Sequence, residues 1–117
     1  MSQPLIPQEI SLNKQGDTLT VVFEQMRYPL SAEYLRVCSP SAEVRAHGGQ
    51  WNILAGKEDV TIKQIVPIGN YAVRLVFSDG HDSGLYSWDI LHDLAQNHRH
   101  YWMRYLTELK NKQQDKL

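Results

Sequence analysis

The chain has 117 residues, 42% of them hydrophobic and 21% charged, which suits one ordinary globular domain with no room for a second core. Its formal net charge of -1 gives no overall attraction towards nucleic acid or an anionic membrane. No apolar run approaches the roughly 20 residues that cross a bilayer, and Met1 to Pro7 lacks the positive and apolar regions of a secretory signal.

In chain order, Gln8–Asn13 and Thr18–Glu24 carry β-branched and alternating residues around the turn Lys14–Asp17, a hairpin pattern. The alternation puts Leu19, Val21 and Phe23 on the core face and turns Thr20 and Val22 away. Ser31 stands as N-cap of a two-turn helix, Ala32–Val37. Ser39 to Asp59 has no sustained period and reads as a long ordered loop, with a helical turn around Ala42 to Arg45 as an option within it; such loops are often functional. Val60–Ile65 alternates again, and Gly69-Asn70 turns the chain into Tyr71–Phe77, where Tyr71, Val73, Leu75 and Phe77 share a face. Asp79-Gly80 marks a tight hairpin before a short strand, Ser83–Tyr86. Ser87 caps a helix in which Trp88, Leu91, Leu94 and Ala95 fall at helical spacing. Asn97 breaks it, and a last helix runs from about Arg99 to Lys112 with Tyr101, Trp102, Tyr105, Leu106 and Leu109 as its apolar stripe. Gln113–Leu117 is a polar tail expected to fray. The expected fold is α+β: a small antiparallel β-sheet domain with a short helix, the loop 39–59, and two C-terminal helices packed on the sheet. The whole of 1–117 is expected to form one domain.

The residue types that carry chemistry are few. One cysteine, Cys38, rules out an internal disulfide, fits a reducing compartment such as the cytoplasm, and is expected to be a small buried hydrophobe. Among five histidines, His81 stands out because it sits at a hairpin beside Asp79 and Asp82; His92, His98 and His100 read as capping or surface residues. A metal held by His81 with Asp82, His47 or Cys38 is the alternative to a hydrogen-bonding role. No Gly-rich phosphate loop and no nucleophile–base pair is evident. His98, Arg99, His100, Arg104, Lys110 and Lys112 lie among aromatics on the last helix, but those aromatics have core spacing, so the helix reads as packed with a solvated basic face rather than as an RNA platform. Trp51 and Trp102 are expected to be buried.

Three stretches taken together carry a resemblance: Leu35-Arg36-Val37-Cys38-Ser39-Pro40-Ser41-Ala42-Glu43-Val44, Ile68–Phe77 with its Gly69-Asn70-Tyr71-Ala72-Val73-Arg74-Leu75-Val76-Phe77, and Asp79-Gly80-His81-Asp82-Ser83-Gly84-Leu85-Tyr86-Ser87-Trp88. The sequence resembles the gamma-butyrobetaine hydroxylase-like N-terminal domain family, a family of unknown function, over roughly residues 8–96, with 97–117 as a C-terminal helical extension. In the carnitine-pathway dioxygenases such a domain precedes the iron- and 2-oxoglutarate-dependent barrel and resembles a zinc module of three cysteines and one histidine; related domains accompany Mrp-type iron–sulfur carrier ATPases, and many bacteria encode the domain alone. The resemblance implies that the ligand histidine falls on His81 and the cysteine positions on Ser39, Ser41 and about Val44, with Cys38 one place out of register. It also implies that Ser39, Ser41, Glu43, His47 and His81 lie near one another, with a metal-free polar network replacing the metal. The dioxygenase barrel has no counterpart in the sequence. The resulting expectation is a non-catalytic interaction or adaptor module with a protein partner, tied through domain fusion to iron–sulfur protein maturation. It needs no cofactor, small-molecule substrate, nucleic acid or membrane, and zinc or iron at His81 is the alternative.

Overall fold

The first hairpin closes through side chains. Asn13 accepts the Thr18 amide at 3.1 Å and donates to Asp17 at 2.6 Å, so β1 (Glu9–Leu12) and β2 (Thr18–Phe23) are held in register by the turn itself. The computed structural model describes residues 5–45 and 51–114. The sequence did not announce the next strand, β3 (Met26–Ser31), which completes an antiparallel sheet ordered β1-β2-β3. It follows a two-residue turn in which Glu24 and Gln25 both take positive φ, 49° and 69°, the handedness that matches strand twist. Pro29 is tolerated in β3 because the strand is at a sheet edge. Val22, expected to face solvent, is buried. Its two cross-strand neighbours, Glu9 and Arg27, form an ion pair at 3.2 Å on its face, and their stems cover it.

Ser31 accepts the Tyr34 amide at 3.0 Å and starts α1 (Ala32–Val37). This short helix is buried almost all round, so its stability comes from packing rather than from propensity. Two hydroxyl bonds between residues far apart in sequence fix it: Tyr34 donates to the Leu94 carbonyl and Tyr86 donates to the Leu35 carbonyl, both at 2.6 Å.

The second antiparallel sheet, ordered β4-β5-β6, comprises β4 (Ile62–Ile68), β5 (Ala72–Phe77) and β6 (Leu85–Ser87). Val73, Leu75 and Phe77 face the core as expected, but Tyr71 lies outside the strand and is 55% exposed, because the Gly69-Asn70 turn extends through it. The two sheets meet where the Ile62 amide donates to the Gly16 carbonyl at 2.7 Å. Gly16 has φ +78°, and a Cβ there would stand 2.8 Å from the Ile62 carbonyl oxygen, so glycine is required.

Ser87 caps α2 (Trp88–Gln96) by accepting the Ile90 amide at 3.2 Å, and Leu91, Leu94 and Ala95 enter the core. Asn97 ends α2, and α3 (His98–Gln114) follows without a linker. Helix α2 covers the sheets through β2 and β6, and α3 packs on α2, α1 and the loop. The Tyr34 and Trp102 rings meet edge to face at 6.2 Å, and Tyr105, which belongs to the core, donates to Glu33 at 3.0 Å. Leu106, expected in the apolar stripe, is exposed, since the stripe that packs is narrowed to Tyr101, Trp102, Tyr105 and Leu109. One buried cluster unites Leu19 of the first sheet, Leu75 of the second, α1, α2 and Tyr105.

Candidate functional site

The loop between β5 and β6 is shaped to aim one side chain inward. Gly80 adopts φ +91°, the Phe77 amide donates to the His81 carbonyl at 2.9 Å, and the His81 amide donates to Asp79 at 3.1 Å. His81 is thereby turned beneath the C-terminal end of α1 and buried. There Ser39 Oγ lies 2.9 Å from Nε2 and Glu43 Oε2 lies 3.0 Å from Nδ1. A carboxylate at Nδ1 fixes the proton on that nitrogen, so in the neutral ring Nε2 accepts and the Ser39 hydroxyl donates.

The serines extend the chain of bonds. Ser39 Oγ accepts the Ser41 amide at 3.2 Å; Ser41 Oγ accepts the Glu43 amide at 3.3 Å and pairs with Ser83 Oγ at 2.8 Å. The turn under them is helical: the Val44 and Arg45 amides both donate to the Ser41 carbonyl, at 3.0 and 2.9 Å. Gly84 closes the lid, since a Cβ there would meet Ser39 Oγ at 2.5 Å and the Tyr86 ring at 3.1 Å.

Beside this network lies an ion cluster. Arg36, 3% exposed, donates through Nε to Asp79 at 2.8 Å and lies 3.5 Å from Glu43, while Lys57 reaches the same Asp79 oxygen at 2.7 Å. Partial burial alone would raise the Asp79 carboxyl; hydrogen bonds from Lys57, Arg36 and the His81 amide outweigh it and hold the group well below the usual carboxylate range. Nη1 of Arg36 is buried without a hydrogen-bond partner among the described residues.

The structure therefore brings Ser39, Ser41, Glu43 and His81 together, and the side chains of Asp82 and Cys38 take no part in their hydrogen bonds. Asp82 is largely exposed and faces Arg74 at 3.5 Å. Cys38 is buried, and burial pushes its thiol up to about 12, so it stays protonated at neutral pH. His47 lies outside the described residues. Sequence reasoning missed Arg36, Lys57, Ser83 and Gly84. The one available signal was Arg36 itself, a charge in a short helix whose neighbours are apolar.

Glu43, His81 and Ser39 have the connectivity of a carboxylate–imidazole–hydroxyl triad. A nucleophile must reach substrate, however, and Ser39 is 0% exposed beneath Gly84. The line of bonds joins the segment after α1 to the β5–β6 loop, with its hydroxyl and imidazole buried and only the Glu43 end open to solvent. Nor do the residues fit a zinc ion. Both ring nitrogens of His81 are engaged, hydroxyls stand at positions 39 and 41 where thiolates would be needed, and Val44 offers no donor. Among the described residues no three His, Cys, Asp or Glu side chains are grouped to hold a metal.

On the far side of the loop, Trp51 stacks on Tyr101 at 5.2 Å and lies under two guanidinium groups, Arg45 at 4.3 Å and Arg104 at 4.6 Å. Lys112 donates to the Ile53 carbonyl at 3.0 Å. The described part of the loop is ordered between the polar network at one end and α3 at the other.

The family model described as gamma-butyrobetaine hydroxylase-like, N-terminal, matches residues 10–92. Two solution NMR structures are similar to the chain at 45% and 43% identity; they cover 92% and 97% of it and 86% of their own lengths, with TM-scores of 0.81 and 0.80. A crystal structure from Acidithiobacillus ferrooxidans, described as a protein of unknown function of the DUF971 family, is 36% identical over 76% of this chain and 91% of that one, with a TM-score of 0.64. No curated protein matches the sequence.

Proposed function

The chain belongs to the gamma-butyrobetaine hydroxylase-like N-terminal family, and from that premise we propose that it acts as a non-catalytic interaction module. The observation that carries this reading is the Glu43–His81–Ser39 line, in which His81 and Ser39 are buried and only the Glu43 end reaches solvent. The residues best suited to acid–base or nucleophilic work are consumed in tying the segment after α1 to the β5–β6 loop, and Ser39 has no exposed surface. What remains available for recognition is the outer surface. The family relationship supports a further part of the proposal, a role beside iron–sulfur protein maturation in the cytoplasm; that part rests on domain-fusion analogy. Among the described residues no helix is long and apolar enough to cross a membrane.

Reciprocal affinity capture from extract of the source cells tests the reading, with hydrolysis of a p-nitrophenyl ester followed on the same preparation. The expected result is one protein retained stoichiometrically in both directions and no turnover that depends on Ser39. Ester turnover abolished by Ser39→Ala would overturn the proposal.

A further inference from the structure

We propose that the solvent face of α3 is a docking site for an acidic protein segment that brings one large apolar anchor residue. The proposal deepens the interaction-module reading and rests on it.

The face holds a groove of about 700 Å³ at the α2–α3 junction. Met103 lines it, 55% exposed, with Arg99 and His100 exposed beside it and Arg104 along the wall. An exposed thioether is a flexible, polarizable surface that adapts to an incoming apolar side chain. The rim is basic. Among the described residues no carboxylate lies within ion-pair distance of Arg99 or Arg104, and Glu108 is the only acid lining the groove. Arg104 is preorganised, because its guanidinium rests over Trp51 and, at 5.6 Å, over Tyr101; a cation already held in place loses little freedom on pairing.

Charge complementarity thus selects an acidic occupant. A nucleic acid would supply negative charge as well, but single-stranded binding depends on rings free to stack with bases. Here Tyr101, Trp102 and Tyr105 pack against the core, while the groove offers a methionine.

Selection of a random displayed peptide library against the full chain tests the site. One enriched peptide is then synthesised, with a version in which every Asp and Glu becomes Asn or Gln, and its binding is compared with that of an oligouridylate. Arg99→Glu and Met103→Asp are read in parallel; both positions are exposed, and circular dichroism verifies that each variant folds. The expected result is enrichment of acidic peptides with a large apolar residue. Affinity should fall about tenfold or more in each variant and in the neutralised peptide, and weaken with salt. Peptides that bind the variants as well as the parent would overturn the site and leave the module reading standing. A selection that enriches nothing would overturn the site, and reciprocal capture would then decide the module reading separately. Tighter binding of oligouridylate than of any peptide, lost in Arg99→Glu, would overturn the proposed class of partner.

Discussion

Gly84 and Asp79 act in opposite ways at the candidate site, one by having no side chain and the other by keeping its charge to lower pH than an ordinary carboxylate. A methyl group at position 84 would be forced onto Ser39 Oγ, which cannot retreat because it is already bonded to His81 and the Ser41 amide. Gly84→Ala is expected to cost about 1–3 kcal/mol, the range of overpacking, measured as a lower urea midpoint with an unchanged slope. Asp79 neutralises a buried guanidinium, so Asp79→Ala leaves Arg36 only its longer contact to the exposed Glu43 and is expected to cost about 3 kcal/mol; Arg36→Met, which removes the buried charge, should cost less. The order of those two variants in a melting experiment is the check. The same carboxyl sets the acid behaviour. Its native value lies below its unfolded one, so its stabilisation is complete above about pH 4 and is lost as the pH falls from there. His98 adds a milder loss at higher pH. Burial between the Tyr34 and Trp102 rings lowers its value, so the unfolded chain binds the proton first and stability falls as the pH drops through about 6.5. Urea midpoints at pH 8, 5.5 and 3 should show two successive declines, and His98→Phe should remove only the first.

Caps and turns show which elements could be read from sequence and which could not. Ser31, Ser87 and Asn97 bound their helices as their chemistry dictates, and Asp79-Gly80 turns where it should. Strand β3 was illegible because Pro29 interrupts its pattern and because its turn is made by Glu24-Gln25, two residues that seldom accept positive φ. That departure is testable: Gln25→Gly should relieve the strain and stabilise the chain by about 0.5–1 kcal/mol, raising the melting temperature, whereas Gly placed at Thr20 should lower it. The site was legible in half. Motif resemblance pointed to positions 39–43 and to His81, since each lies in a short contiguous stretch. The Arg36–Asp79–Lys57 cluster was not visible, because its members are separated by 43 and 22 positions and no local period links them.

Long-range contacts of that kind also decide how the whole molecule holds α3. The matched family region ends at residue 92, before this helix begins, yet Tyr105 belongs to the common core. Three of the contacts that secure α3 to the rest are the Tyr105 hydroxyl on Glu33, the Trp102 ring against Tyr34, and Trp51 on Tyr101 beneath Arg104. The third couples helix to loop, together with the Lys112 bond to the Ile53 carbonyl, and it also fixes the arginine on which the proposed groove depends. Removing the indole forfeits one aromatic pair, worth about 0.5–1.5 kcal/mol, and two cation–π contacts of about 0.5–1 kcal/mol each. Trp51→Ala should therefore lose about 2 kcal/mol of stability. Because the other two contacts remain, the loss should be local first: amide exchange in α3 should quicken while β2 and β5 keep their protection. The same variant should weaken binding of an acidic peptide without touching any residue that lines the groove, since Arg104 would lose the ring that positions it. Uniformly faster exchange across α3 and both sheets would show instead that helix and sheets open as one cooperative unit, and that Trp51 serves the core as a whole rather than the placement of α3.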